Sequence, residues 1–134
     1  MHLRQLALAL TLGTLATTPA LAQSANAGGW TLVSVGGVAA EEGGRIAFAA
    51  DGAVFGTTGC NRFTGQVVAA PGVLSFNTPF AVTRMACPGA LGEQETQVLN
   101  ALTGTVAVAF DPVADRMMLI PANGGPVLGL TRAD

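Results

Sequence analysis

The 134-residue chain has no lysine, no tyrosine and a single histidine, His2. Its cationic charge rests on six arginines against eight acids, a formal net charge of −2. That balance leaves little to neutralise a phosphate backbone and argues against nucleic-acid binding. Because His2 falls in a leader expected to be removed, the mature chain has neither an imidazole nor a side-chain amine. Histidine and lysine chemistry are thereby excluded from its own side chains. Charged residues make up 10% of the chain and apolar residues 50%, too hydrophobic a mixture for a disordered polymer. With 18 glycines, about twice the ordinary share, it is also too glycine-rich for a helical protein.

What is present begins with an address. Residues 1–22 place Arg4 before an 11-residue apolar run from Leu6 to Ala16, then Pro19 and a small-x-small site at Ala20 and Ala22. This is the layout of a secretory signal peptide cleaved before Gln23. The run falls well short of the roughly 20 residues needed to span a bilayer, and charges and glycines interrupt every later apolar stretch. A lipid-modified export signal would need cysteine at the first mature position, which Gln23 occupies. The expectation is a protein that is soluble after cleavage, periplasmic or secreted, with residues 23–27 a flexible N-terminus and one domain over 28–132.

Cys60 and Cys87 are the only cysteines, and an oxidising compartment favours joining them. Two other readings stand beside the disulfide. Thiol exchange usually needs Cys-x-x-Cys spacing, and a zinc site needs about four ligands, which a mature chain without histidine struggles to supply.

The domain reads as short strands around one helix. In WTLVSV, Trp30 and Leu32, with Ser34 next in the alternation, are expected on one side; in RIAFAA, Ile46 and Phe48 share a face. Asp51-Gly52 between two such segments marks a tight hairpin, and Pro71-Gly72 splits TGQVVAA from VLSF as a second. Between residues 88 and 104 the period changes. Leu91, Val98 and Leu102, with Gln94 or Glu95 between them and Leu99 alongside, form a helical stripe, with Glu93 and Glu95 near the start and Gly104 at the end. Strand-like segments then resume with TVAVAF, RMMLI and VLGLT. The order argues against a doubly wound parallel fold and predicts mainly antiparallel sheet covered by one helix.

Two motifs make a resemblance specific. Gly56-Thr57-Thr58-Gly59-Cys60-Asn61-Arg62-Phe63-Thr64-Gly65 resembles the G-x-x-G-C-N-x-F-x-G signature of the META domain family, also called HslJ-like or DUF306. Thr83-Arg84-Met85-Ala86-Cys87 resembles its T-x-M-A-C segment, followed by an acid-bearing helix. The similarity extends over about residues 28–132. It implies a mainly β fold with one helix: a strongly curved antiparallel sheet, nearly a small barrel, packed against that helix. It also implies an exported or envelope protein, tied in bacteria to heat shock, the stress response and novobiocin resistance and in a protozoan parasite to virulence, without an agreed reaction or ligand. Leu91-Gly92 departs from relatives that place methionine before the acid, which is expected to loosen the helix start.

The motif has a structural reading that needs no ligand. Gly56, Gly59 and Gly65 permit positive φ or close backbone approach, Asn61 bonds neighbouring backbone, and Phe63 serves the core as an aromatic without a second ring nearby. Thr83 and Met85 belong to the same structural motif, and Cys60 would tie this corner to Cys87 ahead of the helix. Asn61 and Arg62 are the positions expected to show polar surface there, and with Arg84 they are the candidate binding residues. Arg84 and Arg116 each suit an acid partner or an anionic group but are too isolated to make a patch, and Asp111 and Asp115 flank Pro112 in a turn with too few oxygens for a calcium loop. No catalytic residue, metal or cofactor is expected. A pair of carboxylates facing one another in a cleft would be needed for glycoside hydrolysis, and the acids here lie in turns or on the helix.

Two functions follow. The first is an envelope accessory or stress-related domain that contacts a protein partner through its sheet. The second is a carrier of a small apolar ligand in the interior or mouth of the sheet, suggested by Ala47, Ala49 and Ala53, which either leave space or allow tight packing on the helix.

Overall fold

Alternation of buried and exposed side chains runs through the chain from Gly28, and it builds a sheet that returns to its own first strand. The computed structural model describes Gly13 and residues 28–133. The expected signal peptide, apart from Gly13, and the expected linker at 23–27 lie outside the described residues. Along the chain come β1 (Gly28–Val35), β2 (Val38–Ala39), β3 (Gly44–Phe48), β4 (Ala53–Thr58), β5 (Arg62–Ala70), β6 (Val73–Val82), α1 (Ala90–Ala101), β7 (Gly104–Asp111), β8 (Arg116–Pro121) and β9 (Leu128–Arg132).

From β3 onward each strand pairs antiparallel with the next, and β9 pairs back onto β1 through Thr31↔Thr131 and Leu32↔Leu130. Eight strands thus close into a barrel, with β2 a two-residue flap on β1. The strongly curved sheet that the family resemblance implies is a closed barrel, a step that removes the unpaired strand edges an open sheet would expose. Asp51-Gly52 makes the β3–β4 turn, where Gly52 has φ 88°, and Pro71-Gly72 makes the β5–β6 turn.

The inward faces are filled by side chains. Trp30, Ile46, Val54, Leu74, Val106, Met117, Leu119, Leu128 and Leu130 are each at most 1% exposed. Helix α1 closes one end, burying Val98, Ala101 and Leu102 against strands that include β1, β4 and β8. The predicted stripe is recovered in Gln94, Val98 and Leu102, whereas Leu91 is only partly buried. Gly92 has a packing reason besides any loosening of the helix: a Cβ there would overlap the Cys87 carbonyl. At the start of β1, Trp30 meets the edge of Phe110 at 5.9 Å and lies under the Arg132 guanidinium at 4.4 Å, while Arg132 pairs with Asp115 at 3.0 Å.

Three expectations are corrected. A register shift between Leu32 and Ser34 turns Val35 inward in place of Ser34, because one extra residue in a strand reverses the facing of all that follow. Ala47 and Ala53 alternate with buried Ile46, Phe48 and Val54, so they face outward, and Ala49 is exposed; none of them lines the interior or packs on the helix. Phe63 does have a second ring nearby. Phe80 stacks on it at 5.7 Å with an interplanar angle of 16°, in the space left by Gly65, where a Cβ would collide with the Phe80 ring.

Candidate functional site

The glycine-cysteine motif folds into a corner between β4 and β5, below the N-terminal half of α1. Gly59 sits at φ 100°, which lets the chain reverse so that the Thr58 side chain serves the turn it has just left. Thr58 Oγ1 accepts from the backbone N–H of Cys60 (3.2 Å) and Asn61 (3.1 Å), and its hydroxyl proton faces Glu95 Oε1 at 3.2 Å. Gly56 begins the corner, where a side chain would overlap the Arg45 carbonyl of the neighbouring strand.

Asn61 is the centre of this corner and is 2% exposed. Its Oδ1 accepts from the Met85 N–H (2.6 Å) and from Thr83 Oγ1 (3.0 Å), and its Nδ2 donates to the Met85 carbonyl (3.0 Å) and to Glu95 Oε2 (3.1 Å). Thr83 Oγ1 in turn accepts from the Arg62 N–H at 2.9 Å. Beside this network Cys60 and Cys87 form a disulfide with Cα atoms 6.1 Å apart. Gln94 completes the attachment of the helix: its Nε2 donates to the Thr58 carbonyl at 2.8 Å and its Oε1 accepts from the Glu41 N–H at 2.7 Å. No buried side-chain polar atom among the described residues lacks a partner, so the corner is a satisfied joint between sheet, loop and helix.

Asn61 is therefore inside, contrary to the polar surface expected of it, whereas its neighbour Arg62 is exposed on the outer wall. Arg84 is exposed on the segment after β6, and the Met85 side chain is 64% exposed even though its backbone is held. Thr58, Gln94 and Glu95 were the missed members of the joint. The signal for the last two was a pair of polar residues on an otherwise apolar helical stripe, since a buried amide or acid at such a position needs partners from another element.

Among the described residues, two grooves lie on the outer wall. One, about 360 Å³, runs over β1, β9, β8 and β7 past Val33, Met118 and Gly129. The other, about 390 Å³, lies over β3, β4 and β5 between Arg45, Phe55 and Arg62. Met117 faces the core and Met118 is 44% exposed, as strand alternation requires. Asp111 Oδ1 accepts from the N–H groups of Val113 and Ala114 at 2.9 and 3.2 Å, a turn-building role. Among the described residues no group of three or more His, Cys, Asp or Glu side chains stands close enough to hold a metal ion. Nor, among them, is any helix long and apolar enough to cross a membrane.

The META domain profile matches residues 9–134. An NMR structure of a protein from Burkholderia xenovorans is 30% identical, with a TM-score of 0.61 over 86% of this chain and 88% of that one. A second NMR structure is 24% identical, with a TM-score of 0.62 over 78% and 88% of the two chains. A crystal structure of a DUF4847 family protein from Bacteroides vulgatus shares the fold at 13% identity, with a TM-score of 0.54 over 81% and 94%. No protein of curated function matches the chain.

Proposed function

Because the chain belongs to the META domain family, we propose that it is an exported, non-catalytic accessory domain that contacts a protein partner in the cell envelope through the outer wall of its barrel. One observation carries this reading: apolar side chains occupy the inward faces of the barrel, and others remain outside. Val33 and Met118 are 39% and 44% exposed on β1 and β8, flanking Gly129, whose missing side chain lowers the wall between Ser34 and Met118, and Ile120, 41% exposed, follows two residues along β8 on the face of Met118. Contiguous exposed apolar surface of this kind is the ordinary mark of a contact site. Export rests on the layout of residues 1–22, and Arg62 and Arg84 are exposed polar groups available to a partner, whereas the Asn61 carboxamide is engaged within the joint.

The carrier reading has less support, because Trp30, Phe63, Phe76 and the leucines occupy the inward faces where a ligand would sit. A photo-crosslinking residue placed at Met118, in the protein expressed in its native envelope, distinguishes the two. One stoichiometric protein adduct is the expected result. Absence of any adduct from Met118 and Val33, together with a small apolar molecule in native mass spectra of the purified protein, would favour the carrier.

A further inference from the structure

A second feature of the outer wall lies away from the Met118 surface and does not depend on it. The registers Arg45↔Thr57 and Thr57↔Arg62 place two arginines on one outward row across β3, β4 and β5, with a threonine between them. Neighbouring strands are about 4.8 Å apart, so the two Cα atoms lie roughly 10 Å apart, a separation that two long side chains close from either side. Phe55, 47% exposed, lies on the same face two residues along β4, and its row continues through Ala47 to Gly29. None of β3, β4 and β5 contains an acid. The one salt bridge among the described residues is that of Arg132 with Asp115, so no acid among those residues pairs with Arg45 or Arg62 at the groove.

Solvated arginines are ordinary on a strand surface. Here, however, they border the 390 Å³ groove, whose lining is otherwise mostly apolar, and that volume falls within the usual range of small-molecule sites. Thr57 Oγ1 accepts from the Gly59 N–H at 3.0 Å, which leaves its hydroxyl proton to donate outward. The row therefore offers two guanidiniums and one hydroxyl as donors. Such a set selects an anion over a neutral polar group, and guanidinium matches a carboxylate through paired hydrogen bonds.

We infer that this groove binds a small amphiphilic carboxylate, its head group held by Arg45, Thr57 and Arg62 and its apolar body lying over Phe55, Ala47 and Gly29. The head group brings negative charge to the two guanidiniums, and the tail removes the exposed Phe55 ring from water.

The test is an NMR titration of the folded, disulfide-bonded protein with octanoate, using octanol as the tail alone and acetate as the charge alone. Octanoate should give saturable shifts on amides of β3, β4 and the start of β5, with octanol and acetate each at least about tenfold weaker, because both halves of the ligand contribute. Arg45→Gln and Arg62→Gln should each weaken octanoate several-fold, and Phe55→Ser should weaken it while leaving acetate unchanged. All three positions are surface sites, and thermal melts check that the variants remain folded. The inference is overturned by octanol binding as tightly as octanoate, by shifts that map elsewhere, by an unchanged affinity in the Arg45→Gln, Arg62→Gln double variant, or by no saturable binding at all. A protein adduct captured at Met118 bears on the proposed partner surface only, so the two readings fail separately.

Discussion

The Asn61 side chain takes both backbone polar groups of Met85, accepting from its N–H at 2.6 Å and donating to its carbonyl at 3.0 Å. One carboxamide thus stands in for a strand partner where β6 has ended, and it holds the segment that carries Cys87 to the start of the helix. The two sequence motifs are two halves of one joint, which accounts for their separation along the chain.

Removing that joint's centre should be costly. Asn61→Ala strands the Met85 groups and loses the bond to Glu95, and should destabilise by about 2–4 kcal/mol in urea titrations. Arg62→Ala next to it should stay within about 0.5 kcal/mol. Similar losses at both sites would contradict the assignment of one to the interior and the other to the wall.

The disulfide should act on stability alone. It closes a separation of 27 residues, for which the chain-entropy estimate is about 3.5 kcal/mol. The Cys60→Ser, Cys87→Ser double variant should therefore lose roughly 2–4 kcal/mol and keep its fold by circular dichroism. Partner adducts lost by a double variant that remains folded would show the bridge to be part of the contact.

Core and surface should separate cleanly. Phe48→Ala and Phe63→Ala should each cost about 3–5 kcal/mol, since both rings are buried and truncation leaves a cavity. Glu41→Ala should be nearly neutral in the same denaturant series, because Glu41 engages Gln94 through its backbone.

Gly65 and Phe80 should be coupled. Gly65→Ala pushes a methyl into the Phe80 ring and should destabilise by about 1–3 kcal/mol. In a Phe80→Ala background the added methyl should cost much less, and a double-mutant cycle measures the difference. Additive losses would mean that the ring is not the obstacle.

Processing gives a final check. Mass spectrometry of exported material should find a mature chain beginning at Gln23 with no acyl group at its terminus. Retention of residues 1–22 would overturn the export reading.

Local pattern was enough for much of this protein. Alternation assigned Ile46 and Phe48 to one buried face because a strand repeats every two residues, and Asp51-Gly52 marked a turn because glycine tolerates its φ. The helix was legible in the change of period between residues 88 and 104. Tertiary structure decided what depends on residues far apart in the chain. Closure of β9 onto β1 joins segments nearly the whole domain apart, and the bulge in β1 exchanges Ser34 for Val35; both are settled by how the entire inner surface packs rather than by any one strand's propensity. Neighbouring polar residues divided for the same reason: Asn61 turned inward because Met85, Thr83 and Glu95 converge to satisfy it, and Arg62 turned outward into register with Thr57 and Arg45. A sequence states which groups need partners, but only the closed barrel brings those partners within hydrogen-bonding distance.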